Sequence, residues 1–432
     1  MKPRATPPEA TSAELRIERV AHTGEGIAVH NGRAVFVPLT WPGDRVEAKV
    51  SLSEKVLRGD VVRWIEKSPA RREPSCALFG RCGGCDWLHV DDAAQRDAKR
   101  ELVLSALERL GGIDAAALRV SERYLRSTFG NRRRATLQAT REGLAFFERK
   151  SHQTQPVDEC PALSKRLRTL PGLISKALGS LKGLRSVGML EANDEASVVL
   201  EVRGRPKDVQ REAAQRLVRA LSLSGALVRG DDGSQPFEVG DVSIATAAPG
   251  TSGPKLFLRP DEFAQANEEG SDVLVEAVLE ALRPGENQRV LELYSGHGLL
   301  TFPIAQRTME IWAVESSHGA LAQARRSAES ATLKNVRFFE GDCPQWVKRF
   351  QKSGERFDAL VLDPPRSGAP DVAAWAKSLG ARRVVYVACD AAALGRDTKR
   401  LTGEGFVPEA LHILDLFPQT RHVEAVLAFE RQ

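Results

Sequence analysis

The sequence has few cysteines, few aromatic residues and no long hydrophobic run. Its 432 residues include six cysteines and three methionines, and aromatic residues make up 6% of the chain. Nowhere do about 18 apolar residues follow one another, and residues 1–19 contain no apolar core, so neither a membrane span nor a signal peptide is predicted. Six cysteines are too few for a disulfide scaffold. We therefore expect a cytoplasmic protein whose N-terminal dozen residues are disordered.

A large excess of either charge is also missing. Lys and Arg number 62 against 57 Asp and Glu, a net charge of +5, which excludes a binder with a wholly cationic surface. The cationic residues are nevertheless unevenly distributed along the sequence. Residues 119–150, called here the basic segment, hold nine Arg and Lys against three Glu and are centred on Asn131-Arg132-Arg133-Arg134. Since arginine makes bidentate contacts with phosphate, this segment predicts an RNA-facing strip. A solvated face paired with nearby glutamates is the alternative.

The N-terminal part has the alternation of short strands. Apolar and polar residues alternate over residues 15–65, interrupted by Gly, Asn-Gly and Pro-Gly turn signals. About five strands in so short a stretch predict a small barrel of the oligonucleotide-binding type. Such barrels hold single strands on a sheet face and its loops. A barrel with only a structural role fits the pattern equally well.

The C-terminal part has a different rhythm. From about residue 270, short apolar runs bounded by Gly, Asp or Pro alternate with helical patterns, which is typical of strands buried on both faces of a largely parallel sheet. Ahead of it, a helix is predicted over about 91–111, and we expect it to pack on the C-terminal domain. We predict an α/β chain with a doubly wound domain at 263–432, a barrel at 12–68 and a central α+β domain at 69–262.

The first strand of the doubly wound domain ends in a glycine turn. Tyr294-Ser295-Gly296-His297-Gly298 follows it, and two glycines one residue apart let the chain turn tightly beside a ligand. The next strand ends in Glu315, whose carboxylate can accept hydrogen bonds from ribose hydroxyls. The third glycine of the dinucleotide fingerprint is missing, because Leu299-Leu300-Thr301 comes next. This favours a single adenosine-type cofactor such as S-adenosylmethionine.

Three reactive side chains follow or begin later strands. Asp363 precedes two prolines in a stiff loop, and amino-group methylases also carry an Asp- or Asn-Pro-Pro loop, so this motif alone does not name the modified atom. Cys389 ends a strand that faces the same crevice, which favours a nucleophile, although buried cysteines are often inert. Glu424 lies at the final strand, where a desolvated carboxylate can act as a base. An ordinary edge-strand glutamate is equally consistent.

The remaining cysteines are unevenly placed. Cys76, Cys82 and Cys85 lie within ten residues, and Cys160 follows at a distance. In a reducing compartment such a group points to a metal or to redox chemistry. Thiolates at this spacing fit either tetrahedral zinc or a four-iron cluster, and spacing does not decide between them. Cys343 is left over as a bystander.

Four motifs in order resemble the RNA uracil-5 methyltransferases, which make 5-methyluridine. They are FLRPDEFAQAN at 257–267, LDPPRSG at 362–368, VYVACD at 385–390 and FPQTRHVE at 417–424. The resemblance spans nearly the whole chain, since the barrel is similar to the TRAM module and the cysteines are similar to the iron–sulfur site of the ribosomal-RNA branch. Three positions depart from the family pattern: Ala391 replaces a proline, Leu299 replaces the commoner Asn, and Ser295 replaces a common Cys.

The resemblance implies a role for each matching position. It implies a Rossmann-like methyltransferase domain preceded by a TRAM barrel and by a central α+β domain with a Cys cluster. Cys389 matches the nucleophile and Glu424 the base. S-adenosylmethionine ligands are implied at Gln265, Tyr294, Glu315, Asp342 and Asp363. Ligands of a 4Fe-4S cluster are implied at Cys76, Cys82, Cys85 and Cys160.

The implied activity is methylation of carbon 5 of a specific uridine in 23S ribosomal RNA. Because carbon 5 of uracil is a poor nucleophile, thiolate addition to carbon 6 is needed to activate it. Two alternatives stay open: a uridine in the T-loop of tRNA, and a non-catalytic RNA-binding or RNA-folding role on the same fold. RNA is the expected partner, and neither a membrane nor an obligate protein partner is expected.

Overall fold

A computed structural model of the protein describes residues 11–53 and 56–431. The N-terminal dozen, which we expected to be disordered, lies almost wholly outside the described residues. The chain divides into two compact units. The first extends to Leu102 and includes the later segment Phe417–Arg421, and the second comprises Val103–Leu416 and the residues after Arg421.

The first unit contains a six-stranded sheet of short strands. Its order is β1-β5-β6-β4-β3-β2, and only β4 and β6 pair in parallel. Every second side chain of a strand points to the inner face of this sheet. Val46, Ala48 and Val50 of one strand are therefore buried, while the residues between them are not. The strands are β1 (Thr11–Arg16), β2 (Arg19–Val20), β3 (Gly26–His30), β4 (Arg33–Val37), β5 (Arg45–Ser53) and β6 (Val56–Glu66).

A cysteine-containing loop and helix α1 (Asp92–Ala106) follow this sheet. The helix begins there because the Asp91 carboxylate accepts the main-chain N–H of Ala94 at 2.8 Å. It continues as a π-helical turn, Leu107–Gly111, and ends where Gly112 adopts a left-handed φ of 67°. The predicted helix over 91–111 is therefore present, with an irregular last turn. A short 3-10 turn, Ala115–Ala117, and strand β7 (Arg119–Tyr124) come next.

The central region is a seven-stranded, mostly antiparallel sheet with two helices. Its order is β10-β9-β8-β11-β12-β13-β14. Only β12 and β13 pair in parallel, because the helix between them provides the crossover. The strands are β8 (Arg134–Thr140), β9 (Gly143–Phe147), β10 (Thr154–Pro156), β11 (Leu184–Ala192), β12 (Glu195–Val202), β13 (Gly225–Gly230) and β14 (Phe237–Gly240). The helices are α2 (Leu170–Leu178) and α3 (Asp208–Leu221), and the hairpin β15 (Ile244–Ala247) and β16 (Lys255–Leu258) follows.

The C-terminal sheet has eight strands in the order β19-β18-β17-β20-β21-β23-β22-β7. Its strands are β17 (Arg289–Leu293), β18 (Glu310–Glu315), β19 (Val336–Glu340), β20 (Ala359–Leu362), β21 (Arg383–Ala388), β22 (Phe406–Asp415) and β23 (Glu424–Arg431). Its helices are α4 (Glu268–Leu282), α5 (Thr301–Ala305), α6 (His318–Ser330), α7 (Cys343–Lys352), α8 (Val372–Ser378) and α9 (Ala391–Gly403). The strand order reverses between β17 and β20, and in such sheets the ligand crevice lies beyond the carboxyl ends of these strands.

The predicted α/β sheet is confirmed, with one antiparallel strand, β23, between β21 and β22. All residues of β20 and β21 are buried, as expected of strands covered on both faces. Strand β7 was not foreseen. It lies within the predicted central domain but pairs in parallel with β22 of the C-terminal sheet. Among residues 11–53 and 56–431, no helix is both long and apolar enough to cross a membrane.

Candidate active site

The glycine turn after β17 is tightly built. Tyr294, Gly296 and Gly298 have φ values of 63°, 57° and 92°, which is the left-handed region that favours glycine. A Cβ atom added at Gly298 would lie 2.6 Å from the Phe302 ring. The turn therefore requires glycine at position 298 because it packs against Phe302, whereas a Cβ atom added at Gly296 would meet nothing within 4 Å.

Two carboxylates stand at the ends of the neighbouring strands. Glu315 accepts the N–H of Gly296 at 2.9 Å and the N–H of Ser317 at 2.7 Å, so its carboxylate is fixed beside the glycine turn. Asp342 follows β19 and precedes α7, and its side chain makes no capping hydrogen bond with that helix. Both carboxylates therefore lie at the carboxyl ends of the strands, where doubly wound sheets bind their ligands.

Gln265 lies on a segment that enters helix α4. Its side chain is buried, and Asn267 two residues later caps the helix through the N–H of Gly270. The Asn267 amide also donates to the carbonyl of Leu416 at 2.8 Å. Residues 263–267, FAQAN, have the pattern F-x-Q-x-N. This motif is partly explained by helix capping, because its Asn caps α4 and its Gln lies just ahead of the cap.

Asp363, Cys389 and Glu424 meet at one edge of the C-terminal sheet. Asp363 directly follows β20 and Cys389 directly follows β21. In the antiparallel pairing of β21 with β23, Ala388 lies opposite Ala425, so Cys389 and Glu424 are the next residues of adjacent strands. The structure therefore brings together the predicted nucleophile, the predicted base and the Asp-Pro-Pro loop.

The electrostatics of this edge favour the neutral forms of its acids. Burial raises the pKa of Cys389 to about 12, with further contributions from Glu424 and Asp363, whereas Arg366 opposes the shift. Burial raises the pKa of Asp363 to about 6. Burial, reinforced by Asp363, raises the pKa of Glu424 well above its usual range. The resting site thus holds a thiol beside carboxyl groups that bind protons readily near neutral pH.

The helix start after Cys389 accounts for the missing proline. Ala391 is the first residue of α9, and Asp390 caps the helix by accepting the N–H of Ala393 at 2.7 Å. Proline is common at a first helical position because its N–H would be unpaired there. Alanine leaves the helix start intact, since the Asp390 cap sets the direction of the chain directly after Cys389.

A buried clamp near the site was not predicted. The Asp397 carboxylate on α9 accepts the Tyr386 hydroxyl at 2.6 Å and the N–H of Ala369 at 2.7 Å. Ala369 ends the loop that begins at Asp363, and Tyr386 lies three residues before Cys389. The clamp therefore ties together the two loops that carry reactive groups. The one sequence signal was a charged residue among the apolar positions of an amphipathic helix.

A second unpredicted group lies under the glycine turn. The Glu292 side chain is 2% exposed and accepts the Thr301 hydroxyl at 2.6 Å. Burial raises the pKa of Glu292 to about 8, so it is mostly protonated at neutral pH. A carboxyl within a buried strand of otherwise apolar residues was the signal that could have found it.

The cysteine loop of the first unit is partly ordered by its own main chain. The N–H of Cys82 donates to the carbonyl of Leu78 at 3.0 Å, and the N–H of Gly84 donates to the Cys82 sulfur at 3.4 Å. Within the described part of the chain, no three His, Cys, Asp or Glu side chains form a group that could hold a metal ion. Cys160 belongs to the second unit. The predicted ligand set therefore stays a prediction.

The basic segment is less cationic at its surface than its composition suggests. Arg119 pairs with Glu409 at 2.8 Å, and Arg123 pairs with Glu276 at 3.0 Å. Arg133 is only 4% exposed, so its predicted contact with RNA phosphate is wrong in this structure. Burial of the residue before β8 against the F-x-Q-x-N segment is a tertiary contact that charge counting could not detect.

Two family models match this chain. The model described as tRNA (Uracil-5-)-methyltransferase matches residues 256–432, and the TRAM domain model matches residues 11–62. The first match covers the C-terminal sheet except for β7, including the edge at which Asp363, Cys389 and Glu424 meet, and the second covers the N-terminal sheet except for the end of β6.

Curated relatives match over nearly the full length. The chain is 34% identical to the 23S rRNA (uracil(1939)-C(5))-methyltransferase RlmD of Pseudomonas entomophila, over 98% of this chain and 94% of the relative. It is 30% identical to the protein of the same name from Shewanella woodyi, over 99% and 98%. The crystal structure of Pyrococcus abyssi tRNA (uracil-54, C5)-methyltransferase in complex with S-adenosyl-L-homocysteine has a TM-score of 0.74 at 22% identity, covering 96% and 100%. This last likeness concerns the fold alone.

Proposed function

Since the chain belongs to the RNA uracil-5-methyltransferase family, with a relative 34% identical over 98% of its length, we propose that it methylates carbon 5 of one uridine in 23S ribosomal RNA. S-adenosylmethionine is the methyl donor. The observation that carries the proposal is the pairing of β21 with β23, which places a cysteine and a glutamate side by side at the crevice.

The chemistry needs one nucleophile and one base. After loss of its proton, the Cys389 thiolate adds to carbon 6 of uracil, which forms a C–S bond and shifts an electron pair toward carbon 5. Carbon 5 can then attack the methyl group of the donor, whose bond to sulfur breaks, so that S-adenosylhomocysteine leaves. Glu424 takes the remaining proton from carbon 5, the double bond between carbons 5 and 6 returns, and the C–S bond breaks. Burial raises the pKa of Glu424, so the ionised form of its carboxyl group has a high affinity for the proton that it takes from carbon 5. The transferred methyl group therefore replaces one proton, and Cys389 is regenerated.

We assign the cofactor site to the five positions predicted from the sequence. The glycine turn, which is open beside Gly296, and the fixed Glu315 carboxylate support an adenosine-containing ligand at this edge. When bound, S-adenosylmethionine supplies an electrophilic methyl group on a sulfonium. Its ligands would be Gln265, Tyr294, Glu315, Asp342 and Asp363.

The substrate is tested by offering both RNA classes to the enzyme. With methyl-labelled S-adenosylmethionine, a 23S ribosomal RNA fragment that contains the uridine named in the relatives is expected to be labelled at a single uridine. A tRNA transcript with its T-loop serves as the comparison and is expected to remain unlabelled. Mass mapping of digested RNA locates the methyl group, and labelling of the tRNA alone would contradict the ribosomal assignment.

We also propose that Cys76, Cys82, Cys85 and Cys160 hold a 4Fe-4S cluster. The four thiols are a suitable donor set, and the N–H that donates to the Cys82 sulfur is the kind of contact that stabilises a bound thiolate. The cluster would order the cysteine loop. A redox role has no support in the residues around it.

Anaerobically purified protein is expected to be brown and to contain close to four iron and four sulfide ions per chain, as a 4Fe-4S centre requires. The Cys82→Ser variant should lose most of its iron, because one thiolate ligand is removed. Cys343→Ala is the matched control and should keep it, since Cys343 is buried at the start of α7. Colourless protein that contains zinc would overturn the iron–sulfur assignment.

The exposed part of the basic segment is expected to contact RNA phosphates. The Arg126 side chain is 98% exposed, and we expect Arg126→Gln combined with Arg132→Gln to reduce the salt dependence of RNA binding by about one to two phosphate contacts. Arg216→Gln on α3 is the control, because its side chain is also well exposed, at 57%, but lies outside the segment. If the salt dependence of RNA binding were unchanged in the double variant, the basic segment would be a solvated face that does not contact RNA.

We further propose that segment 12–68 binds RNA through the barrel, segment 69–262 carries the cysteine site and the basic segment, and segment 263–432 carries methyl transfer, with β7 of the second segment completing the sheet of the third. A cytoplasmic location follows from a ribosomal RNA substrate. The barrel's role in RNA binding is supported by its match to the TRAM model and by the use of such barrels for single strands.

A further inference from the structure

Arg133 holds the segment that carries Gln265. Its main-chain N–H donates to the Ala266 carbonyl at 2.7 Å, and its Nε donates to the Gln265 carbonyl at 3.0 Å. Its Nη2 reaches the Ser271 hydroxyl at 3.2 Å on α4. Two of these hydrogen bonds from one buried residue therefore fix the main-chain carbonyls of Gln265 and Ala266, and the third ties the same guanidinium to the first turn of α4.

This guanidinium is buried without a carboxylate in direct contact among the described residues, although the charges of Glu268, Asp272 and Glu191 act on it from nearby. In the described chain no carboxylate lies within ion-pair distance of Arg133, and its Nη1 has no hydrogen-bond partner. Burial lowers the pKa of Arg133. Because a buried, unpaired charge is costly, a residue kept for stability alone would be better replaced by an apolar side chain. The contacts with the Gln265 segment are what the charge provides.

His297 holds the same segment from the other side. It lies between the two glycines of the turn and is 4% exposed; its ring lies against the main chain of Phe263, and its Nε2 has no hydrogen-bond partner in the part of the chain that the structure describes. Burial, with the nearby charges of Arg133 and Arg134, lowers its pKa to about 4, so the ring is neutral at physiological pH. The segment 263–267 is thus tied both to the start of β8 and to the glycine turn.

We propose that Arg133 and His297 are positioning residues for the cofactor, which hold Gln265 in the conformation that binds S-adenosylmethionine. The inference rests on the proposed function, because it takes Gln265 as a cofactor ligand. It separates Arg133 from its neighbours in the basic segment: Arg133 acts on the cofactor side, whereas exposed cations such as Arg126 act on RNA.

The test measures binding of S-adenosylhomocysteine and of 23S RNA separately. By calorimetry, Arg133→Met and His297→Leu are each expected to raise the Kd for S-adenosylhomocysteine by about tenfold or more, the effect of losing contacts that fix a ligand-bearing segment. Arg133→Lys, which keeps the charge, should recover part of the loss. RNA affinity, measured without the cofactor product, should stay within about twofold of wild type.

Arg383→Lys is the matched control for buried arginines. Arg383 is 8% exposed and donates to the Ala281 carbonyl at 2.6 Å, so its replacement should lower the melting temperature without changing the Kd for S-adenosylhomocysteine. If Arg133→Met bound S-adenosylhomocysteine normally and lost RNA affinity, Arg133 would belong to the RNA surface and the inference would be overturned. If Arg383→Lys weakened S-adenosylhomocysteine binding as much as Arg133→Met did, the loss of binding would reflect general destabilisation of the fold, and the inference would also be overturned. Wild-type protein that failed to bind S-adenosylhomocysteine would instead contradict the proposed function.

Discussion

Replacing Cys389 by serine is expected to abolish methylation and the covalent capture of RNA that contains 5-fluorouridine. Fluorine at carbon 5 cannot leave as a proton, so the wild-type enzyme should remain joined to carbon 6 of the analogue after methyl transfer. A serine hydroxyl adds too poorly to replace the thiolate, and turnover should fall by about four orders of magnitude or more. The adduct is measured as a denaturation-resistant, slowly migrating protein band.

Two comparisons make the result specific. Cys343→Ala should retain the adduct, because Cys343 is a buried cysteine that has no part in the proposed reaction. RNA with ordinary uridine should give no stable band with wild-type enzyme. If the wild-type protein bound the fluorinated RNA without forming an adduct, the chain would be a non-catalytic RNA-binding protein.

The rate of adduct formation should also depend on pH. Because the pKa of Cys389 is raised to about 12, only a small fraction of the thiol is ionised at neutral pH. As long as the pH stays below the pKa, the thiolate fraction increases about tenfold for each unit by which the pH rises. The logarithm of the single-turnover rate should therefore rise with pH between about pH 7 and pH 9. A flat profile would mean that the thiol is already ionised when RNA is bound.

Replacing Glu424 by glutamine is expected to stop the reaction after methyl transfer. Glutamine has the same size but cannot take the proton from carbon 5, so the C–S bond cannot break. Turnover should fall by about a thousandfold, in the range typical of a lost general base. A covalent complex carrying the labelled methyl group should accumulate with ordinary uridine RNA, as seen on a denaturing gel.

Glu430→Gln provides the control on the same strand. Glu430 lies at the other end of β23, pairs with Arg383 and is half-exposed, so its loss should leave turnover unchanged. Normal turnover in Glu424→Gln would assign the base elsewhere. Asp363 would then be the next candidate, because burial raises its pKa to about 6.

The meeting of Asp363 and Cys389 at one edge could be predicted because of where parallel strands end. Asp363 and Cys389 are separated by a helix in sequence, but each follows a short apolar run, and the carboxyl ends of adjacent parallel strands share one edge of the sheet. Glu424 was less certain from its pattern, because its strand runs antiparallel. Its place beside Cys389 depends on the register in which Ala388 lies opposite Ala425.

Tertiary contacts account for what the sequence did not reveal. In the sequence, Arg133 cannot be distinguished from the neighbouring arginines Arg132 and Arg134. Only the packing of the segment 263–267 shows that Arg133 is buried. Likewise, Tyr386 and Asp397 come together only because α9 folds back onto β21. Local patterns predict which face of an element is apolar, but they do not predict which polar residue is enclosed between two elements.

The pairing of β7 with β22 has a consequence for how the protein can be divided. The chain enters the C-terminal sheet at Arg119–Tyr124, leaves it to build the central region, and returns at α4. The central region is therefore an insertion within the catalytic fold and not a module placed before it. A fragment that starts at residue 263 would leave the β22 edge unpaired and prone to aggregation, so an autonomous catalytic fragment would have to begin ahead of Arg119.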